Sequence, residues 1–131
     1  MFNILIKTDS HYKINRDRVR KFIEKVLTEK GMKGNIEVSV AVVGDRQMKL
    51  LNSKYRKLNA SCSILAFPQT DGDYDKGPFV DAPDNILRLG DIVISYPQIV
   101  GLSAEENLLV DDKIDELIKH GLSTLLGQNE D

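Results

Sequence analysis

His120 sits on a strongly periodic stretch near the end of the chain, and Thr124 lies one turn further along the same side. A helix with histidines four residues apart offers two ring nitrogens to one metal ion, which is a large part of a zinc site. Here the second position is a neutral hydroxyl, a poor zinc donor, so the pair supplies a single nitrogen. Without a metal, His120 is a helix-surface or hydrogen-bonded histidine. Other groups that could do chemistry are few. Cys62 reads as a small packed strand residue, with a substitute metal ligand or a nucleophile beside His120 as the alternative. Asp71, Asp73 and Asp75 have the spacing that opens a calcium loop. The sixth position is Lys76 rather than Gly and the twelfth is Ala82 rather than Glu, so the stretch reads as an acidic loop. His11 falls in a polar connection and reads as an exposed loop residue. No P-loop, G-x-S-x-G or H-E-x-x-H pattern occurs.

The element that must carry His120 is a helix. Ile114, Leu117, Ile118, Gly121, Leu122, Leu125 and Leu126 form its apolar stripe, Asp111 and Asp112 suit its N-terminal end, and Gly127 suits its stop. Ahead of it, Phe2 to Thr8 alternates as a short strand. Asn15 caps a helix from Arg16 to about Lys30, with Val19, Phe22, Ile23, Val26 and Leu27 inward. Arg18, Lys21 and Lys25 share a neighbouring side, a solvated face or a set of RNA-phosphate contacts. Ile36 to Val43 is the clearest strand, and Gly44-Asp45 turns into a helix from Arg46 to about Tyr55 with Met48, Leu51 and Tyr55 as its buried stripe. Ser63 to Phe67 is a strand stopped by Pro68, residues 69 to 85 form a loop, and Leu89 to Ser95 is a fourth strand. Pro97 opens a third helix that ends near Asn107. The order β-α-β-α-β-β-α-α predicts an α+β fold with a mixed four-stranded sheet packed by helices.

Composition limits the partners. The 131 residues fit one domain, 1–131, of ordinary apolar and charged content. A net charge of -2 excludes a chain that binds nucleic acid by bulk charge, so any basic surface is local. One cysteine excludes an intrachain disulfide and fits a reducing cytoplasm. No apolar run is long enough for a membrane span, and Met1 to Lys7 turns polar too soon for a signal peptide.

Four stretches, in order, carry a family resemblance. Leu51-Asn52-Ser53-Lys54-Tyr55-Arg56 resembles L-N-x-x-Y-R. Cys62-Ser63-Ile64-Leu65-Ala66-Phe67-Pro68 resembles T-[DN]-V-L-S-F-P. Leu89 to Ser95 matches L-G-D-I-V-I-S. His120-Gly121-Leu122-Ser123-Thr124-Leu125-Leu126-Gly127 resembles H-G-x-L-H-L-L-G. The chain is identified by these as similar to the YbeY family of bacterial rRNA-maturation endoribonucleases, with a metalloprotease-type fold.

The resemblance implies a zinc ion held by three histidines, whose positions fall on His120, Thr124 and Glu130. It also implies that Arg56 holds an RNA phosphate and that zinc activates the attacking water. A catalytic zinc takes about three protein ligands and an open position. The metal set carried over is His120 with Glu130, and Thr124 is a non-ligand. Asn129 and Asp131 could add oxygens. Read as an unligated residue, Glu130 is a solvated terminal acid. Asp91 is expected either to orient or salt-bridge groups of the cleft or to make turn hydrogen bonds, and Arg56, read outside the cleft, pairs with a local acid. The expectation is therefore a single-strand-specific endoribonuclease of rRNA maturation and ribosome assembly, with weak or absent zinc and hydrolysis impaired or lost. Its expected partners are RNA or the ribosomal small subunit, with no DNA and no membrane, in the cytoplasm. The alternatives are a non-catalytic RNA- or ribosome-binding module on the same fold, or an engineered or structural derivative lacking the site.

Overall fold

The computed structural model describes residues 1–9, 11–69 and 86–127. Strand β1 (Phe2–Thr8) is followed by helix α1 (Arg16–Glu29), strand β2 (Ile36–Val43), helix α2 (Asp45–Arg56), strand β3 (Ile64–Pro68), strand β4 (Leu87–Ser95), helix α3 (Tyr96–Glu106) and helix α4 (Val110–Leu125). The sheet order is β1-β2-β4-β3. The first three strands run parallel, and β3 lies antiparallel on the β4 edge. This is the expected mixed sheet. A helix between strands brings the chain back to start a parallel neighbour, whereas β3 leads into β4 with no helix among the described residues.

The period-two pattern decides which side chains meet. Ile4, Ile6, Val38, Val40, Ile92 and Ile94 fall in register on one face. There they pack against Val19, Ile23 and Leu27 of α1 and Ile114, Ile118 and Leu122 of α4. Each such side chain contributes roughly 1.5–3 kcal/mol when taken from water. The other face is covered only in part. Met48 of α2 sits with Val43, Leu65 and Val93 in a smaller cluster.

Local signals set the helix ends. The Asn15 side chain accepts the Arg18 backbone N–H at 3.0 Å, and Ser95 caps α3 with Pro97 in its first turn. Asp111 and Asp112 occupy the first turn of α4, where the helix dipole favours negative charge. Gly127 follows the last turn at φ 74°.

Two side chains depart from the sequence expectation. Tyr55 is 55% exposed rather than part of the buried stripe of α2, because the helix covers only the edge of its sheet face. Arg18 is not on a free basic face. It donates to Asp112 at 2.7 Å and Asp115 at 2.9 Å, pinning α1 to α4. Lys113, only 5% exposed, is likewise taken up internally by Glu106 at 2.9 Å and Glu116 at 3.1 Å. No helix among the described residues is long and apolar enough to cross a membrane.

Candidate functional site

Helix α4 lies close against the β3–β4 end of the sheet because residue 121 has no side chain. A Cβ there would stand 3.1 Å from the Ile64 and Ile92 methyl carbons. That close approach sets His120 beside the edge strand. The same cleft is lined by Arg56 from the last turn of α2, the Ile64 and Ala66 side chains of β3, and Thr124 one turn beyond His120. Arg56, His120 and Thr124, separated by up to 68 residues of chain, thus share one exposed cleft.

The position of Arg56 is set by residues with no chemistry of their own. Asn52, 2% exposed, donates from Nδ2 to the Ala60 carbonyl at 2.8 Å, while Leu58 N–H donates to the Asn52 carbonyl. Lys57 ends the helix in the left-handed region at φ 59°. At the other end of α2, one Asp45 oxygen accepts from Ser61 at 2.7 Å, Ser95 at 3.0 Å and Gln98 at 3.1 Å. The Ser61 hydrogen bond is the main reason the Asp45 carboxyl lies below its ordinary pKa. Partial burial opposes the shift, and Gln98 and Ser95 reinforce it. This acceptor ties α2, the approach to β3 and the β4–α3 junction together. Neither Asn52 nor Asp45 was singled out from sequence. The only trace was the Asn inside Leu51–Arg56 and an acid at a helix start.

Strand β4 contributes its own device. The β2–β4 register shifts between Glu37 and Val38, where Leu89 and Gly90 form a bulge. Gly90 has φ 135°, and a Cβ on it would stand 2.2 Å from the Phe67 carbonyl oxygen. Glycine is therefore required for β3 to lie where it walls the cleft.

Among the described residues, Arg56 has no carboxylate partner, so its guanidinium is open to an anion. The described donors do not fit a zinc ion. The cleft holds one imidazole, and the Thr124 hydroxyl donates to the His120 carbonyl at 3.2 Å, the ordinary back-bond of a threonine within a helix. Among the described residues, no group of three or more His, Cys, Asp or Glu side chains could hold a metal. Glu130, Asn129 and Asp131 lie outside the described residues, as do Asp71, Asp73 and Asp75. Cys62 does not line the cleft. It is half buried against the Met48 cluster, with its thiol 3.5 Å from the Ile64 carbonyl. Asp91 lies on the opposite face of the sheet and accepts the Ser39 hydroxyl. His11 is exposed and pairs with Asp9 at 2.6 Å, which holds the Asp9 carboxyl below its ordinary pKa, chiefly through the His11 backbone N–H.

Comparison with known proteins finds relatives of this chain. A family profile described as Endoribonuclease YbeY matches residues 4–130. The chain is similar to an endoribonuclease YbeY of Roseiflexus sp., 30% identical over 113 residues, covering 86% of this chain and 69% of that one. It is also similar to one from Aquifex aeolicus, 29% identical over 128 residues, covering 98% and 77%. A solution structure of a Thermotoga maritima protein shares the fold at a TM-score of 0.60 and 18% identity, covering 98% of this chain and 75% of that one.

Proposed function

This chain belongs to the YbeY endoribonuclease family, and from that premise we propose that it binds single-stranded ribosomal RNA at the cleft between Arg56 and His120, with zinc-dependent hydrolysis weak or lost. The observation that carries the binding half is the Arg56 guanidinium, without a carboxylate partner among the described residues, at an exposed cleft beside strand β3. Lys54 and Lys57 flank it on the same helix end, so a local basic site exists on a chain whose net charge is -2. A planar guanidinium suits a phosphate because it offers paired N–H donors in a fixed fork. His120 adds a ring nitrogen for a second oxygen or a ribose hydroxyl.

The weak-hydrolysis half rests on the donor set. Zinc, where a family member holds it, supplies a water made nucleophilic near neutral pH. Here His120 is the one imidazole at the family's positions, Thr124 spends its proton on the backbone, and the third position is the carboxylate Glu130. A lone cysteine and an RNA partner accord with a cytoplasmic setting for this activity.

The test is metal content measured beside RNA binding and cleavage on the purified chain. Expected are salt-sensitive binding of a single-stranded RNA, far less than one zinc per chain after equilibration with the metal, and no cleavage that zinc stimulates. Arg56→Ala should weaken binding and make log K against log salt shallower by about 0.7, the value for one phosphate on a single strand. A full zinc equivalent with zinc-stimulated cleavage overturns the weak-site half, and absence of RNA binding overturns the other.

A further inference from the structure

Strand β3 separates two surfaces. Ile64 and Ala66 turn toward α4 and the Arg56–His120 cleft, whereas Leu65 and Phe67 turn to the face that α2 covers only in part. On that second face a groove crosses β2 and β4. Ser39 and Asp91 lie on its floor, Lys7 is at its rim, and Tyr55 and Phe67 form its wall. The Tyr55 ring meets Phe67 edge-on at 5.0 Å between centroids, and the Lys54 ammonium stands 5.2 Å from the Tyr55 centroid. Tyr55 is thus held from the side and from above, yet is 55% exposed.

We propose that this groove is a base-binding subsite, taking an unpaired RNA base next to the phosphate held at Arg56; the inference rests on the RNA-binding reading above. Neighbouring residues on a helix point about 100° apart, and here Tyr55 lines this groove while Arg56, adjacent in the chain, lines the cleft. One strand of RNA rounding the β3 end reaches both. The chemistry of the groove selects its occupant. An apolar protein segment would bury the Asp91 carboxylate and Ser39 hydroxyl without new partners, which is costly. A phosphate would meet the like charge of Asp91 and of Glu37, which also lines the groove. A nucleobase is flat and uncharged, stacks on an aromatic ring, and carries N–H donors on its edge for a carboxylate. Lys54 lies over one face of the Tyr55 ring, so the base takes the other face and the ammonium neutralises the backbone that follows it.

Fluorescence anisotropy with a short labelled oligoadenylate, and with an abasic ribose-phosphate strand of the same length, tests this on the intact chain. Tyr55→Ala should weaken oligoadenylate binding roughly ten- to a hundredfold, the usual effect of losing one stacked base. Its salt slope should stay unchanged, because no phosphate contact is removed. Tyr55→Phe, which keeps the ring, should bind within about twofold of the unmodified protein. The abasic strand should not distinguish Tyr55→Ala from the unmodified protein. If Tyr55→Ala unfolds, Tyr55→Leu keeps the bulk against Phe67 without the aromatic face and should show the same loss. Oligoadenylate affinity unchanged in the folded variant, with Arg56→Ala still weakened, overturns the subsite and leaves the RNA-binding reading standing. Failure of the unmodified protein to bind either strand overturns both.

Discussion

Gly90→Ala is the substitution that most directly probes how the cleft is built. The new Cβ would lie 2.2 Å from the Phe67 carbonyl oxygen and 3.0 Å from the Gln69 nitrogen, both backbone atoms of the neighbouring strand's end, and 3.0 Å from a Leu125 methyl. Leu125 can rotate away, but the β3 backbone has to move. The residue also keeps φ 135°, a conformation L side chains rarely adopt, which costs about 1–3 kcal/mol. Displacing β3 breaks the Gln69 N–H to Leu89 carbonyl bond and loosens the Pro68–Gly90 pairing, each such bond worth roughly 0.5–1.5 kcal/mol net. The total is about 2–6 kcal/mol, a large share of the ~5–15 kcal/mol that holds a domain together. Because β4 is the single strand neighbour of β3 among the described residues, the damage should be local first. Urea unfolding gives the loss of stability, and amide hydrogen exchange should show β3 amides released before those of β2. Gly101→Ala is the matched control. It sits in α3 with nothing within 4 Å of its Cβ position, so it should gain roughly 1 kcal/mol from helix propensity. A Gly90→Ala protein within about 1 kcal/mol of the original, with β3 exchange unchanged, would refute the claim that this glycine sets the cleft wall.

Three further outcomes follow from the same geometry. Thr124→His with Glu130→His should raise zinc affinity to about one ion per chain by metal analysis; a folded but metal-free double variant would mean the ligand helix is wrongly assigned. Asp45, whose carboxyl is held below its ordinary pKa of 3.8 mainly by Ser61, stabilises the fold above that value, and the contribution disappears as pH falls through the lowered pKa. Asp45→Asn should therefore be less stable than the original at pH 7, and urea midpoints should converge as pH drops below the ordinary carboxylate range. Lys113, raised above its ordinary 10.5 chiefly by the Glu106 hydrogen bond, contributes fully below that value and loses its contribution as pH rises through the raised one. Lys113→Met should cost only about 1 kcal/mol at neutral pH, because Glu106 and Glu116, 40% and 58% exposed, return to water, and its unfolding midpoint should approach that of the original in strong alkali.

Much of the architecture was written in short-range pattern. The alternation of Ile36 to Val43 placed one strand between two helices, the stripe from Ile114 to Leu125 placed the last helix on the core, and Asn15, Pro97 and Gly127 marked ends that the structure keeps, while the Ser95 cap of α3 came from the structure. These features depend on periodicity and capping, both of which are properties of neighbouring residues. The sequence alone also determined which side chains stand at the family's ligand positions, since identity at His120, Thr124 and Glu130 needs no fold to be read. The tertiary structure decided the rest. It turned Arg18 from a basic helix face into a clamp on Asp112 and Asp115, and left Tyr55 exposed although its spacing from Met48 and Leu51 suits burial. It put Arg56 across a cleft from His120 and Asp91 behind the sheet. Such outcomes depend on which elements become neighbours and how far each helix covers its sheet, and spacing along the chain does not contain that information.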